Sequence, residues 1–310
     1  MNSRSALFIF AAALLAGACS PQSTPIPTSE PPTSTFEGVI TIGDIANQPS
    51  DVIEAFQPLA DYLAANLGEF GIGVGEVRVA PDIQTMTEMV ASGDIDIYFD
   101  SPYPALLVSE GSGASPILRR WKDGIEEYHS VIFTLAQHDL ETLVDLQGHV
   151  IAFDEVFSTS GYMLPLAFMV ESGLSLVELA AADDEVAENQ IGYIFSGDGE
   201  NALQWVLGER VDAAVVDSGL FTAIPEETRE QLTVLAVTES LPRHVVVVSP
   251  TISEPMRDAI SDILLSMDES EEGQVVLDAF EETAQFDEFP GGSEAALERM
   301  RELYEMVQNR

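Results

Sequence analysis

Residues 145–165 read Asp-Leu-Gln-Gly-His-Val-Ile-Ala-Phe-Asp-Glu-Val-Phe-Ser-Thr-Ser-Gly-Tyr-Met-Leu-Pro. Val150 to Phe153 is short, apolar and β-prone, which predicts a buried strand. A polar turn follows, and Ser158-Thr159-Ser160-Gly161 stands just before a new apolar segment, Tyr162 to Val170. The order is strand, hydroxyl-rich turn, helix. A helix start leaves about four backbone N–H groups unpaired and carries a partial positive charge. Three adjacent hydroxyls there can cap the helix, bind an anion, or do both.

Outward from this unit the same grammar repeats. Gly38 to Ile42 predicts a strand ending at Gly43-Asp44, and Val52, Ile53, Phe56, Leu59, Ala60 and Leu63 have helical spacing. Strands are expected at Val74–Val79, Ile95–Phe99 and Pro116–Trp121, with helices at Met86–Val90 and after Asp100-Ser101-Pro102. Further strands are expected at Ser130–Leu135, Gln190–Phe195, Val211–Val216, Leu232–Val237 and Arg243–Val248. The last third reads as helices at Met256–Met267, Gly273–Phe280 and Ser293–Gln308, with Ser293 as the final cap. This alternation argues an α/β chain with mostly parallel sheets.

The N-terminus predicts export. Arg4 is the only charged side chain before Cys19, Leu7 to Leu15 is an unbroken apolar run, and Ala16-Gly17-Ala18 precedes the chain's single cysteine. The run is too short to span a bilayer and fits a signal-peptide core. Small residues before Cys19 resemble a bacterial lipobox, so residues 1–19 are expected to be a lipoprotein signal peptide with Cys19 lipidated. Residues 20–36 hold five prolines and many hydroxyls. That composition favours extended chain and reads as a tether. The expected location is extracytoplasmic, on a lipid anchor.

Acidic residues number 53 against 12 basic ones, a formal net charge of −41, and Lys122 is the only lysine. Nucleic acid is excluded as a partner, because neutralising its backbone requires clustered Lys and Arg. The acids are dispersed rather than blocked, as expected of a solvated surface in salty surroundings. An anionic ligand must therefore be captured by local donors against a repulsive overall field.

Tyr128 to Leu135 and Thr238 to Val248 are extended apolar crossings that flank the middle of the chain. Paired as a hinge, they make 134–236 an inserted lobe and leave 37–133 plus 237–310 as the first lobe. The expectation is two α/β lobes with a ligand cleft between them, the architecture of periplasmic binding proteins, which close about a hinge.

Four segments carry a family resemblance: Met89-Val90-Ala91-Ser92-Gly93-Asp94-Ile95-Asp96, Phe99-Asp100-Ser101-Pro102, Asp145-Leu146-Gln147-Gly148 through Tyr162, and Gly208-Glu209-Arg210-Val211 through Ser218. Together they resemble the phosphate/phosphite/phosphonate-binding proteins of bacterial ABC importers, which have the type 2 periplasmic-binding-protein fold. The resemblance implies that Ser158, Thr159 and Ser160 hold the ligand's oxygens. It also implies that Asp217 accepts a hydrogen bond from a protonated phosphonate or phosphate oxygen. An acceptor there would reject a fully deprotonated ion such as sulfate. From the residues alone, Asp217 reads equally well as a helix cap. Lobe-one contacts are expected from Ser101 and Tyr103, and the implied partners are a small oxyanion, an ABC permease and its ATPase.

The chain departs from this family at Gly197-Asp198-Gly199-Glu200, where a Gly-Ser-His-Asp run is usual and no histidine is present. Asp198 and Glu200 either cap the next helix or face a cationic group of a substituted ligand. The family's usual aromatic three residues after Pro102 is Ala105.

Catalysis is not expected. The four histidines, His129, His138, His149 and His244, stand in no motif beside a serine. There is no Gly-x-Ser-x-Gly elbow, no Ser-x-x-Lys and no zinc-ligand spacing. His129 and His244 read as structural or exposed. No cofactor or metal is expected, and the protein is expected to be a monomer. Alternatives within the fold are a lipoprotein sensor for a receptor kinase and a binder of an organic carboxylate or zwitterion.

Overall fold

The computed structural model describes residues 37–46 and 49–309. The expected signal peptide, Cys19 and the tether lie outside the described residues. In chain order the strands are β1 (Gly38–Ile45), β2 (Ile72–Ala80), β3 (Ile97–Asp100), β4 (Ser115–Arg120), β5 (Glu127–Tyr128), β6 (Ser130–Leu135), β7 (Val150–Phe153), β8 (Leu176–Glu178), β9 (Ile191–Phe195), β10 (Ala213–Asp217), β11 (Leu232–Val237), β12 (Leu241–Pro242), β13 (His244–Val248) and β14 (Phe286–Asp287). The helices are α1 (Pro49–Asn66), α2 (Ile83–Ser92), α3 (Pro102–Ser112), α4 (Leu164–Glu171), α5 (Gly199–Leu207), α6 (Ser218–Ala223), α7 (Glu226–Arg229), α8 (Glu254–Leu265), α9 (Glu271–Ala279) and α10 (Glu298–Gln308).

Two mixed sheets organise these elements. The first has the order β14-β4-β13-β3-β1-β2, and the second β11-β6-β10-β7-β9-β8. Each has a parallel body, β2-β1-β3 and β8-β9-β7-β10, extended by antiparallel strands. The reason is connectivity. Helical crossovers give parallel neighbours, whereas β13 and β6 belong to stretches that pass between lobes and enter each sheet from the opposite end.

The passage itself is a two-stranded ribbon, with β12 against β5 and Leu241 opposite Tyr128. Ser130 and Thr238 extend it, the Ser130 N–H donating to Thr238 Oγ1 at 2.9 Å. The second sheet takes all of β6, so the cut expected at 133/134 falls inside a strand; the sheets part between Tyr128 and Ser130 instead.

Burial explains why the strands read as continuous apolar runs. On one face of the first sheet, Phe56, Phe99 and Phe280 make edge-on aromatic contacts 4.6–6.2 Å apart. Gly75 lets β2 approach α1 closely, since a Cβ there would stand 2.3 Å from the Ala60 backbone. The other face belongs to a core that runs from α2 and α3 through α10 to α4 and the second sheet. The last helix thus joins the lobes along one side. Arg301 pairs with Glu110 of α3, and Arg299 with Glu239 and, at 3.8 Å, with Glu171 of α4. Ser293 does not cap this helix: α10 starts at Glu298, behind a separate turn at Ser293–Ala295.

Candidate functional site

A cavity of about 540 Å³ opens between the two sheets, bordered by Ser101, Ser158, Thr159, Ser160 and Asp217 among the expected residues. Its second-lobe wall is the unit quoted first. β7 ends at Phe153, and the chain turns through Asp154 to Phe157 before Ser158. Ser158 caps the next segment, its Oγ accepting the Gly161 N–H at 3.0 Å. That segment opens not as an α-helix but as a wider π-type turn, Thr159–Met163, before α4 begins. Pro165 supplies the cause. It has no N–H to return to the Gly161 carbonyl, which instead accepts from the Asp154 N–H at 3.1 Å. Gly161 is required here, because a Cβ would lie 2.3 Å from the Asp154 Cβ.

Among the described residues, no protein acceptor pairs with the backbone N–H groups of Thr159 and Ser160. Both residues are buried. Two unspent donors therefore sit at a buried helix start. The hydroxyls are partly spent. Thr159 Oγ1 donates to Ser101 Oγ and accepts the Tyr103 N–H, both at 2.9 Å, tying the lobes together. The Ser160 carbonyl accepts from the hinge residue Ser130 at 2.6 Å.

Asp217 closes the same wall from β10. Its Oδ1 accepts the N–H groups of Gly219 and Leu220, so it caps α6 while bordering the cavity. Asp198 caps α5 through the Asn201 N–H at 2.6 Å and is exposed. Neither Asp198 nor Glu200 lines the cavity. Position 199, which lacks the family histidine, packs against Leu220, 2.8 Å from where a Cβ would stand.

Tyr103 is displaced from its expected role. As the second residue of α3, between Pro102 and Pro104, its ring turns away from the cavity and packs, buried, on Tyr304 of α10 at 5.8 Å. Its phenol is pushed up to about 12 by burial. The aromatics that border the cavity are Phe157 of the second-lobe turn and Tyr128 of the hinge ribbon, whose hydroxyl faces those of Thr159, Ser160 and Ser101. The Arg243 guanidinium lies 4.8 Å over its ring.

The first-lobe wall was not expected from sequence. It is built at one end of the first sheet by Asp44, Asp100, Lys122, Arg243 and His244. Ligands in open α/β sheets lie beyond the carboxyl ends of the parallel strands, and Asp44 and Asp100 stand at two such ends, so that rule finds them. Lys122 was findable as the sole lysine. It bonds Glu281 Oε1 at 3.0 Å, while the buried Arg120 bonds Oε2 at 3.0 Å. Glu281 is held low despite its burial because Lys122 and Arg120 face it. Burial raises Asp100, and burial with Asp100 alongside pushes Asp44 up to about 7. On the second lobe, burial raises Asp154 and Glu155 as well. The cleft thus combines unspent N–H donors, two cations and several carboxyl groups that readily hold protons.

Comparison with known proteins places the fold in a family. The phosphate-import protein PhnD of Mycolicibacterium smegmatis (strain ATCC 700084 / mc(2)155) is 26% identical over 218 residues, covering 67% of this chain and 66% of that relative. The chain thus matches just under two thirds of that relative's length. XAC2383 from Xanthomonas citri, solved bound to chloride ion and bound to ATP, is 25% identical, with TM-scores of 0.80 and 0.79. The match to its chloride-bound structure covers 87% of this chain and 98% of that one. PhnD1 from Prochlorococcus marinus (MIT 9301), solved with methylphosphonate, shares the fold at 16% identity and a TM-score of 0.65, covering 88% and 99%. Residues 44–290 match the family described as ABC transporter, phosphonate, periplasmic substrate-binding protein. The chain belongs to that family of extracytoplasmic substrate-binding proteins.

Proposed function

We propose that this protein captures a small oxyanion of the phosphonate, phosphite and phosphate class in its cleft and delivers it to an ABC permease and ATPase. The observation that carries this reading is the pair of unspent N–H groups at Thr159 and Ser160, buried against the cavity. Fixed N–H groups at a helix start suit an oxyanion and cost no reorganisation when it arrives. In a chain of net charge −41, such donors supply the attraction that the overall field denies. Ser158 to Ser160 hold the ligand oxygens. The second oxygen of Asp217 takes a hydrogen bond from a protonated oxygen, and Ser101 orients Thr159. The protein acts as a lipid-anchored monomer outside the cytoplasm, as a carrier and not as an enzyme.

The carboxyl groups of Asp44, Asp100, Asp154 and Glu155 favour a second reading, a zwitterionic solute whose cationic end meets them. A melting-temperature screen at moderate to high salt separates the two. A ligand at a hundredfold excess over its Kd adds about 2.7 kcal/mol of stability by mass action. Phosphonates, phosphite or phosphate should raise the melting temperature and sulfate should not. A response to carboxylates or amines with none to phosphorus oxyanions overturns the first reading.

A further inference from the structure

His244 is 8% exposed and borders the cavity from the first lobe. Its Nδ1 is fully enclosed without a hydrogen-bond partner. The adjacent Arg243 also borders the cavity, and its Nε is enclosed and unpartnered. Buried polar groups are nearly always paired, so these adjacent exceptions mark a wall whose hydrogen-bonding capacity the protein itself leaves unspent. Burial first, and then the cations Lys122, Arg243 and Arg120, hold the ring neutral; Asp44 and Asp100 share the wall, and burial raises both carboxyls toward their uncharged form. A neutral imidazole keeps one N–H to donate. Lys122 and Arg243 set a positive local field, though both also have acidic partners, Glu281 and Asp123.

Size points the same way. A tetrahedral oxyanion has five heavy atoms; at no more than about 30 Å³ each, the share of a water molecule in the liquid, it fills under about 150 Å³. The cavity is about 540 Å³. Most of it is left over once an inorganic ion sits on the Ser158–Ser160 turn.

We infer that His244, with Arg243 and Lys122, forms a second ligand pole on the first lobe, which takes an acceptor-bearing anionic group. The preferred solute is then a bifunctional organic oxyanion, with a phosphoryl end on the second lobe and a carboxylate or second phosphoryl end on the first. This rests on the oxyanion reading above and makes it more specific. A ligand held at both walls also bridges the lobes, which favours the closed state.

Calorimetric titration of the whole protein with phosphonoacetate, methylphosphonate and succinate tests it. Phosphonoacetate should bind about tenfold or more tighter than methylphosphonate, the worth of one added charge-assisted hydrogen bond. His244→Ala should erase that preference, read as the ratio of the two affinities in the variant against the ratio in wild type. His244→Gln, which restores an N–H donor, should recover part of it, and it serves as the readout if the alanine variant does not fold. Imidazole ¹⁵N resonances of His244 should shift with phosphonoacetate and not with methylphosphonate. Equal affinity for the two phosphonates, or an equal loss of both in the His244 variants, overturns the second pole alone. No binding of either phosphonate to the wild-type protein overturns the oxyanion reading and the pole with it.

Discussion

Thr159 of the second lobe donates its hydroxyl to Ser101 of the first at 2.9 Å, and the same oxygen receives the Tyr103 N–H. The middle hydroxyl of the Ser158–Ser160 turn is therefore an interlobe tie beside the hinge. Tyr128 and Ser130 reach the same turn from the hinge ribbon, through hydroxyl contacts and the Ser160 carbonyl. This turn and the hinge ribbon form one hydrogen-bonded unit, so contacts at the turn bear directly on the crossing between the lobes.

Thr159→Val keeps the shape of this tie and deletes its oxygen. The Tyr103 N–H, buried, then has no acceptor, which costs about 1–3 kcal/mol. Thermal denaturation of the unliganded protein should show that loss, and Thr159→Ser should largely restore stability. A valine variant as stable as wild type would show that the tie contributes nothing.

Gly161→Ala probes the turn without touching a hydroxyl. The added methyl collides with Asp154, which must move, and the β7-to-turn geometry moves with it. Overpacking of this kind costs about 1–3 kcal/mol. Titration with whichever phosphorus oxyanion stabilises the wild type should show affinity falling about tenfold or more, because the unspent N–H groups are re-aimed. Unchanged affinity would separate those groups from ligand binding.

The strand–turn–helix unit and the alternating elements were legible because each is local: the period of apolar residues and the capping chemistry lie within a dozen positions. Strand-end Asp44 and Asp100 were visible as punctuation but not as a wall, because their neighbours Lys122, in the turn after β4, and His244, heading β13, come from elsewhere in the chain. His244 in particular carries no local signal. A single polar residue heading an apolar strand reads as structural until the opposite lobe is set against it. Tyr103 misled for a local reason, since two prolines around it fix the start of α3 and turn the ring toward α10. Tyr128, two residues before β6, is brought to the site only by the hinge ribbon.

Asp217 has two jobs that one pair of variants separates. As a cap it accepts two N–H groups, so Asp217→Ala should cost about 1 kcal/mol of stability. Asn caps nearly as well as Asp, so Asp217→Asn should leave the melting temperature close to wild type. If the carboxylate also accepts a hydrogen bond from a protonated ligand oxygen, the asparagine variant should lose discrimination between phosphate and sulfate. Retained discrimination in a folded Asp217→Asn protein would reduce Asp217 to a cap.

Asp44 makes the cleft sensitive to pH. Burial, with Asp100 beside it, raises its carboxyl from 3.8 to about 7. Between those values the folded chain holds a proton that the unfolded chain has released. Stability therefore falls as pH rises through that window and levels off above it. The cost above pH 7 is on the order of a few kcal/mol. Self-repulsion of the acidic surface slopes the same way, so the informative quantity is the difference between wild type and Asp44→Asn. The asparagine variant should match wild type near pH 4, gain on it steadily up to about pH 7, and hold a constant advantage beyond. The same ionisation places a negative charge on the cavity wall, so oxyanion affinity should weaken more steeply through pH 7 in wild type than in the variant, where only the ligand's own ionisation remains. A pH-independent difference in denaturant unfolding between the two would mean that Asp44 ionises normally and plays no part in tuning the cleft.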